Sequence, residues 1–490
     1  MSEYELPSKN KFLWKRIQKR LTKQYLNCNQ LENLLEKFLG DFKEAKCIGI
    51  YFKEQLNEEE KNLFFQQTLP FMQQCALLMP KLFPTHTIKR LVCGKAQSIT
   101  FTRQQICCLL CHMFFCTLQV MKPEMKYWCT FEPWITCNGY KPVISYFHSL
   151  FNYFYRCSKL DFLEINQDLD EKDKQGNKQE KEKEEEKEND NEKEKEEEKG
   201  KENEKEKEKE EEKENEKEEK EEEKKNEKVK FQRNVIKPEE QPSWLTSELE
   251  LIPIHLIETG IIGKNNEQIQ VEFANKDIGF GISGTQEEIV FGMNIELCIS
   301  MLICDTMKSN EAILIQNSWV TGVYKGYGLN VEFIKQPKID PNNKNRMICA
   351  IDALELEYFE DYRIISQQLQ KKNILRELNK AYCGFAPNNL INHEVATGHW
   401  GCGAFGGDKE IKAIIQYMAA SQCQASKINY YCFSDNSFIE KFQKVLQIFK
   451  NESINKVSQL WVLLRKFHEL FKNNHQNNSF FDMLIEKKLL

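Results

Sequence analysis

A long run of charged residues divides this chain and limits how it can fold. From about Asp170 to Lys228 the sequence is almost entirely Lys, Glu, Asn and Asp, with no aromatic or aliphatic residue. Such a segment cannot bury enough apolar surface to offset the entropy of ordering it. Its many i,i+4 Glu and Lys pairs are compatible with a lone solvated helix as well as with a coil. We therefore treat residues 169–229 as an insertion and expect the folded cores on either side of it.

Composition favours a folded protein of the cell interior. The chain has 490 residues, of which 40% are hydrophobic, enough for more than one core. It has 18 cysteines, but its charged beginning does not resemble a signal peptide, so we expect reduced thiols and a location in the nucleus and/or cytoplasm. No apolar run approaches the length of a membrane helix, and we expect no membrane association.

A basic amphipathic stretch lies near the start of the chain. Trp14, Ile17, Leu21 and Tyr25 recur at helical spacing among Lys and Arg residues. That pattern suits a helix on a membrane surface, and it suits a helix docked on the protein's own core. We expect the second.

The two sides of the insertion have different periodicity. Residues 1–168 contain apolar residues at three- and four-residue spacing, as in "FTRQQICCLLCHMFFCTL" and "VISYFHSLFNYFYRCS". Residues 230–490 alternate short β-branched runs, such as "IQVEFAN" and "EAILIQ", with helical patterns such as "KEIKAIIQYMAASQCQA". The sequence therefore predicts an all-helical accessory domain followed by an α/β domain whose sheet is partly parallel.

Five potential metal ligands lie close together in the helical region: Cys107, Cys108, Cys111, His112 and Cys116. Thiolates and imidazoles are the usual zinc ligands. On one helix, however, these residues occupy adjacent rows, and the sequence offers no second ligand pair to complete a tetrahedron. Cysteine is also an ordinary small core residue. We expect no metal here.

The stretch "DIGFGISGTQEEIVF" places Gly279, Gly281 and Gly284 between a strand-like run and a helix-like run. This spacing is that of a dinucleotide-binding turn, which seats a pyrophosphate on a helix N-terminus. Glu287 and Glu288 occupy that N-terminus and would repel a phosphate. Their proximity raises the pKa of each carboxyl, which suits a general acid. The alternative is that they only complement the helix dipole, and this loop alone does not distinguish the two.

A second glycine-rich loop, "ATGHWGCGAFGGDKEIK", precedes another helix and lacks an acid until Asp408. Its backbone amides are therefore free to hold a diphosphate, and Phe405 is placed to brace a ribose. One loop would then bind phosphates while the other brings an acid to a sugar bond. That combination indicates hydrolysis of a nucleotide-sugar linkage.

Several segments together resemble the poly(ADP-ribose) glycohydrolase family. They are "VEFANKDIG…QEEI" from Val271 to Ile289, "RELNKAYCGF" from Arg376, "VATGHWGCGAFGGD" from Val395 and "ITFTRQQICCLLCHMFFCT" in the helical region. The resemblance implies a macrodomain-like mixed sheet sandwiched by helices in residues 230–490, with residues 1–168 as its helical accessory domain. It also implies cleavage of ribose–ribose bonds in poly(ADP-ribose), without a cofactor or metal.

The resemblance assigns roles to individual residues. Glu288 would protonate the leaving ribose oxygen and then activate water, and Glu287 would hold a ribose hydroxyl. The remaining implied substrate-binding residues are Gln286, Glu272, Asn275, Gly279, Gly281, His399, Gly403, Ala404, Phe405, Gly406, Tyr324 and Phe433. Implied partners are poly(ADP-ribose) and ADP-ribosylated proteins. We expect a monomer without a direct nucleic-acid site.

Three positions depart from the family pattern. Phe280 stands in the middle of the first glycine loop, where a backbone should touch the ligand. The family's Thr-Gly-Tyr reads Thr321-Gly322-Val323 here, with Tyr324 as the candidate replacement for the adenine-covering ring. His399 replaces an Asn and would add charge below about pH 6.5. The alternative function is therefore a macrodomain that binds ADP-ribose or its polymer with weakened or no cleavage.

Overall fold

The computed structural model describes residues 2–40, 43–118, 129–160, 162–163, 228–262, 268–337, 346–356, 361–386, 393–473 and 479–490. All but two residues of the charged insertion lie outside this set. Those two, Lys228 and Val229, already belong to a strand that pairs with Thr102 and Phe101.

The amino-terminal region is built mainly of amphipathic helices. They are α1 (Lys11–Leu21), α2 (Cys28–Leu39), α3 (Lys46–Glu54), α4 (Glu58–Leu63), α5 (Leu69–Leu77), α6 (Met79–Leu82), α7 (Arg103–Phe114), α8 (Glu132–Thr136) and α9 (Lys141–Cys157). A π-helical turn, Phe64–Thr68, joins α4 to α5. Helix α1 begins after Asn10, whose side chain accepts hydrogen bonds from the amides of Phe12 and Leu13. Its apolar face is buried in the protein core, as expected.

The same region also contributes strands: β1 (Glu3–Glu5), β2 (Thr87–Lys89) and β3 (Gln97–Thr102). The expectation of an all-helical accessory region missed them. Strand β3 has the alternating exposure of a half-buried strand, but its six residues run directly into the helical pattern of α7. The helical periodicity of the neighbouring residues hides a strand this short.

The carboxy-terminal region alternates strands and helices. Its strands are β4 (Lys228–Val235), β5 (Ile254–Ile257), β6 (Gln268–Glu272), β7 (Glu311–Gln316), β8 (Val323–Lys325), β9 (Glu332–Lys335), β10 (Met347–Ala350), β11 (Glu394–Gly398) and β12 (Lys427–Tyr431). Its helices are α10 (Gln286–Met293), α11 (Ser300–Ile303), α12 (Asp361–Gln368), α13 (Lys371–Phe385), α14 (Lys409–Gln422), α15 (Asn436–Asn451), α16 (Val457–Asn473) and α17 (Phe480–Ile485). Short 3-10 turns occur at Pro7–Lys9, Pro238–Glu240, Ile295–Ile299 and Gly328–Asn330.

Eight strands form one mixed sheet in the order β3-β4-β7-β10-β6-β11-β12-β5. The five strands from β10 to β5 are parallel, and β3, β4 and β7 extend the sheet with antiparallel pairings. Two smaller antiparallel ribbons, β1-β2 and β8-β9, lie outside it. The predicted α/β class with a mixed sheet is confirmed.

Both faces of the sheet are buried, each against a different set of helices. Along β7, Ile313 and Ile315 belong to the core that includes the amino-terminal helices. Ala312 and Leu314 alternate with them and belong to the core that includes α13 to α17. This two-residue alternation follows from the pleat of a strand. The helical region therefore serves as one layer of the sandwich and is not a separate unit beside it.

Among the described residues, no helix combines the length and apolar character needed to cross a membrane.

Candidate active site

The two glycine-rich loops leave the same edge of the sheet. The first follows β6 and the second follows β11, and these strands are parallel neighbours, with Val395 opposite Ile269. Parallel strands end at a common edge, so the loops at residues 273–285 and 399–408 emerge side by side. Strand β12 is the next parallel neighbour and delivers Phe433 to that edge. The sheet itself thus brings together the segments singled out from sequence.

The acidic run at the start of α10 holds the first loop in place. Gln286 accepts a hydrogen bond from the Phe273 amide at 2.8 Å and donates one to the Val271 carbonyl at 3.1 Å. Glu287 accepts from the backbone amides of Asn275 and Gly279 at 3.1 and 3.2 Å. The carboxylate of Glu287 therefore fixes the same backbone whose residues were expected to contact a ribose.

Glu288 lies at the centre of this loop. One carboxylate oxygen accepts from the Gly281 amide at 3.2 Å. The other accepts from the amide and hydroxyl of Thr285, which makes Glu288 part of a capping box. The side chain is 8% exposed. Glu288 therefore caps the helix, which is one of the two roles considered from the sequence. The same hydrogen bonds hold its carboxylate against the loop.

Three carboxyl groups share this buried region. Glu272, at the end of β6, is 0% exposed, and neither of its carboxyl oxygens has a hydrogen-bond partner. Burial, and then the charge of Glu288, raise the pKa of Glu272 well above its ordinary value. Burial, and then Glu272 and Glu288, likewise raise the pKa of Glu287. Both shifts favour the protonated forms of Glu272 and Glu287 at pH values where an exposed carboxyl has lost its proton. Glu272 was expected to bind substrate, but its side chain lies inside the protein.

Phe280 points away from the loop's open side. Its ring stacks on Phe131 with centroids 5.2 Å apart and an interplanar angle of 14°, and it lies 4.4 Å from the ring of Trp134. The expectation that this side chain would intrude on the ligand is wrong, because the aromatic core of the helical region takes up the ring.

Aromatic side chains from the helical region also hold the loop backbone. The indole of Trp134 donates to the Gly281 carbonyl at 2.8 Å, and the hydroxyl of Tyr146 donates to the Ser283 carbonyl at 3.0 Å. The amide of that same Gly281 donates to Glu288. Residue Gly281 thus links the helical region to the acid through two hydrogen bonds. Sequence reasoning missed Trp134 and Tyr146 because they lie more than 100 positions from the loop.

The second loop is shaped by glycine conformations and presents an exposed tip. Gly401 and Gly406 have φ of 73° and 69°, which a side chain strongly disfavours. The Gly407 amide donates to the Gly401 carbonyl at 2.9 Å and closes the turn. Gly403 and Ala404 at its tip are exposed, as a phosphate-binding backbone requires. Phe405 is partly buried against the core on the side of α13 to α17.

A buried ionic network supports that loop from below. Lys412, in α14, pairs with Glu377 of α13, and both side chains are 0% exposed. The ammonium group of Lys412 also lies 3.8 Å from the centroid of the Trp400 ring, whose indole donates to the Ile351 carbonyl at 2.9 Å. The base of the loop is therefore anchored to α13, α14 and the end of β10.

Two family models match this chain, both of the same family. The macrodomain-fold part of poly(ADP-ribose) glycohydrolase matches residues 241–440, and the helical domain of poly(ADP-ribose) glycohydrolase matches residues 56–176. The chain belongs to the poly(ADP-ribose) glycohydrolase family. The helical-domain match comes first in the chain and the macrodomain match second.

Curated relatives carry the same family name. A poly(ADP-ribose) glycohydrolase 1 of Caenorhabditis elegans is 32% identical over 228 residues, which are 43% of this chain and 29% of that protein. A poly(ADP-ribose) glycohydrolase 1 of Arabidopsis thaliana is 29% identical over 339 residues, which are 52% of this chain and 59% of that protein. The chain thus covers less than two thirds of the length of these relatives.

The residue expected to replace the family's adenine-covering tyrosine does not reach the cleft. Tyr324 is 1% exposed, and its hydroxyl contacts Ser149 and the carbonyls of Ser145 and Gly292. Tyr324 is a core residue that joins β8 to helices α9 and α10, so its assignment to substrate is wrong.

Tyr327, which the sequence reading did not select, lies between the two loops. Its ring is 57% exposed, and its hydroxyl oxygen lies 3.5 Å from the position that a Cβ on Gly403 would occupy. Partial burial, and then the charge of Glu288, raise the pKa of its hydroxyl. The next residue, Gly328, donates its amide to the Gly284 carbonyl at 2.8 Å. In the sequence, Tyr327 could have been noticed as a second tyrosine three residues after Tyr324.

His399 is held in an aromatic cluster at the edge of the site. One ring nitrogen contacts the Tyr430 hydroxyl at 3.2 Å, and the ring packs against Phe438 at 4.9 Å. Burial, and then Lys409, lower its pKa to about 4, so the charge expected below about pH 6.5 develops only at lower pH. Phe433 is 46% exposed, has a positive φ of 51° and covers Gly398. It remains available to a flat ligand.

We predict that Trp134→Phe lowers the kcat of the reaction proposed below, hydrolysis of poly(ADP-ribose), by about fivefold or more. The ring is kept but the donor to Gly281 is lost, and a neutral hydrogen bond contributes about 1 kcal/mol. Because Gly281 also holds Glu288, kcat should fall with little change in KM. The measurement is steady-state kinetics, with Trp14→Phe as a control for a ring change elsewhere in the helical region. Equal kcat values for the two variants would contradict this role.

We predict that Glu272→Gln flattens the pH dependence of stability. A raised folded pKa means that folded protein holds a proton that unfolded protein releases, so wild-type stability falls as pH rises above about 4.5, by up to about 1.4 kcal/mol per pH unit. The glutamine of the variant does not titrate, so this contribution to the pH dependence of stability is lost. Urea unfolding between about pH 5 and pH 8 measures the slope, with the exposed Glu239→Gln as control. Parallel curves for wild type and Glu272→Gln would refute the prediction.

Proposed function

We propose that this protein hydrolyses ribose–ribose O-glycosidic bonds in poly(ADP-ribose) and releases ADP-ribose. The observation that carries the proposal is the position of Tyr327, which lies beside Gly403 of one loop, while the next residue, Gly328, donates its amide to the Gly284 carbonyl of the other loop at 2.8 Å. A phosphate-binding backbone and a carboxyl acid therefore border one cleft. The family named above supports this substrate.

In this proposal Glu288 is the general acid and then the base. It protonates the oxygen of the leaving ribose, and in the second half of the reaction it removes a proton from the attacking water. Glu288 reaches the cleft from the first turn of α10 and is oriented by Gly281 and Thr285. Two further carboxyls, those of Glu272 and Glu287, lie near it, and the charge of Glu288 contributes to the raised pKa of each.

The second loop would bind the diphosphate that flanks the scissile ribose. Its exposed tip at Gly403 and Ala404 carries no side chain longer than a methyl group, so its amides can approach phosphate oxygens closely. A diphosphate held there places negative charge beside the ribose. That charge stabilises the positive, oxocarbenium-like transition state of glycosidic cleavage. No described side chain needs to supply a covalent nucleophile in this scheme.

Aromatic rings border the cleft on two sides. Tyr327 lies between the loops, and Phe433 lies at the end of β12 beside Gly398. Either ring offers a flat apolar surface on which a purine can stack. We assign adenine contact to Tyr327 in place of Tyr324.

We predict that Glu288→Gln lowers release of ADP-ribose from purified polymer by about 10²–10⁴-fold, the usual effect of losing a general acid. Glutamine can still complete the capping box, so helix α10 stays intact. Product formation is measured by chromatography, and polymer binding by calorimetry.

Glu60→Gln is the matched control, because Glu60 closes a capping box with Asn57 in the helical region. It should cleave as wild type does. Wild-type turnover by Glu288→Gln would remove this residue from the mechanism. Polymer binding by wild-type protein without any product would instead support the alternative function, a reader of ADP-ribose.

We predict that Tyr327→Ala weakens ADP-ribose binding by about tenfold, since stacking of a base on an aromatic ring contributes about 1–3 kcal/mol. Calorimetry with ADP-ribose measures the loss. Tyr140→Ala is the control, because Tyr140 is similarly exposed but precedes α9 in the helical region. Equal affinity for the two variants would assign the adenine contact elsewhere.

We further propose that ADP-ribosylated proteins are partners through their attached polymer, that the protein acts as a monomer, and that it works in the nucleus and/or cytoplasm. The reducing environment of those compartments suits its cysteines, because all 18 are free thiols.

A further inference from the structure

A group of thiols lies in the helical core, well apart from the residues assigned to catalysis. Cys75 of α5 and Cys107 and Cys111 of α7 have sulfur atoms that all lie within 4.8 Å of one another. All three side chains are 0% exposed. Cys107 and Cys111 are one helical turn apart, so both face α5. Sequence reasoning considered the α7 cysteines but found no second ligand pair, because Cys75 lies 32 positions earlier.

A fourth thiol lies beside the group. Cys157, the last residue of α9, is fully buried and is hydrogen-bonded to Cys107. Three helices thus contribute thiols to one part of the core: three that are mutually close and a fourth that contacts Cys107. Buried cysteines that only fill space do not require such mutual contacts.

The neighbouring ligand candidates on α7 are engaged elsewhere. The Cys108 sulfur faces the Ala76 carbonyl at 4.0 Å. The ring nitrogens of His112 contact that same carbonyl at 2.9 Å and the Thr117 hydroxyl. The thiol group defined by Cys75, Cys107, Cys111 and Cys157 is therefore distinct from the sequence cluster considered first.

Two arginines give this region positive charge. Arg103 begins α7, one turn before Cys107, and Arg156 precedes Cys157. Their guanidinium groups lie 4.1 and 3.5 Å from the centroid of the Trp319 ring. Glu296, 3.7 Å from Arg103, pairs with it. Both arginines lie on the helices that contribute Cys107 and Cys157, so positive charge lies beside the thiol group.

We propose that Cys75, Cys107, Cys111 and Cys157 bind a structural Zn²⁺ ion in the helical region. Tetrahedral coordination at a Zn–S distance of about 2.3 Å separates sulfur atoms by about 3.8 Å, so the three mutually close sulfurs need to approach by about 1 Å or less. Cys157, which contacts Cys107, has to turn toward the other two sulfurs as well. Each thiol releases its proton to solvent as its sulfur binds the ion. Four thiolates and Zn²⁺ carry two negative charges, and Arg103 and Arg156 on the same helices provide positive charge nearby. The ion would tie α5, α7 and α9 together.

The test compares two adjacent cysteines. Full-length protein is purified under reducing conditions, and its zinc is measured by elemental analysis and by the absorption of Co²⁺ bound in its place. We expect about one ion per chain in wild type and in Cys108→Ala, and almost none in Cys107→Ala. Both residues are 0% exposed and lie next to each other in α7, so the two substitutions remove the same volume from one helix.

A second measurement covers the case in which Cys107→Ala fails to fold. Treatment of wild-type protein with a strong chelator should lower its melting temperature, and added Zn²⁺ should restore it. Wild-type protein that contains no zinc and takes up Zn²⁺ or Co²⁺ with a Kd weaker than about 1 µM would overturn the proposal. Equal loss of metal in Cys107→Ala and Cys108→Ala would overturn it as well.

Discussion

The parallel pairing of β6 with β11 is the constraint on which the site depends. Because the two strands run in one direction, the loop that carries the acids and the loop that carries the exposed amides must leave the sheet together. Tyr327, from the ribbon β8-β9, fills the interval between them. Backbone pairing sets the geometry, and side chains refine it.

Helix caps and carboxyl chemistry are combined at the start of α10. A first-turn glutamate is ordinarily a stabilising cap, and Glu288 does form a capping box with Thr285. The carboxyls of Glu272 and Glu287 lie near it, and burial together with like charge raises the pKa of both. The cap holds Glu288 in position beside these two groups. Glu288 thus both stabilises the start of α10 and is the residue that we propose as the acid.

Sequence patterns predicted the fold class, the two regions and both glycine loops, because these follow from periodicity and local turn chemistry. Sequence patterns did not predict whether a given side chain points into the cleft or into the core. Phe280 was expected in the cleft and is stacked on Phe131, while Tyr324 was expected in the cleft and is in the core. A single strand or loop does not reveal what lies on its other side. Trp134 shows the same limit, since only the folded chain brings it to Gly281.

The two faces of β7 bear on how this protein can be divided. Ile313 and Ile315 belong to a core that combines the helices encoded before the charged run with α10 and α11, and Ala312 and Leu314 belong to a core of helices encoded after it. Cutting at the run would separate β3 from β4 and remove a large part of the apolar cover from one side of the sheet. The half that contains the glycine loops is therefore not a portable module. Its stability depends on the amino-terminal helical region, which contributes no acid to the proposed reaction.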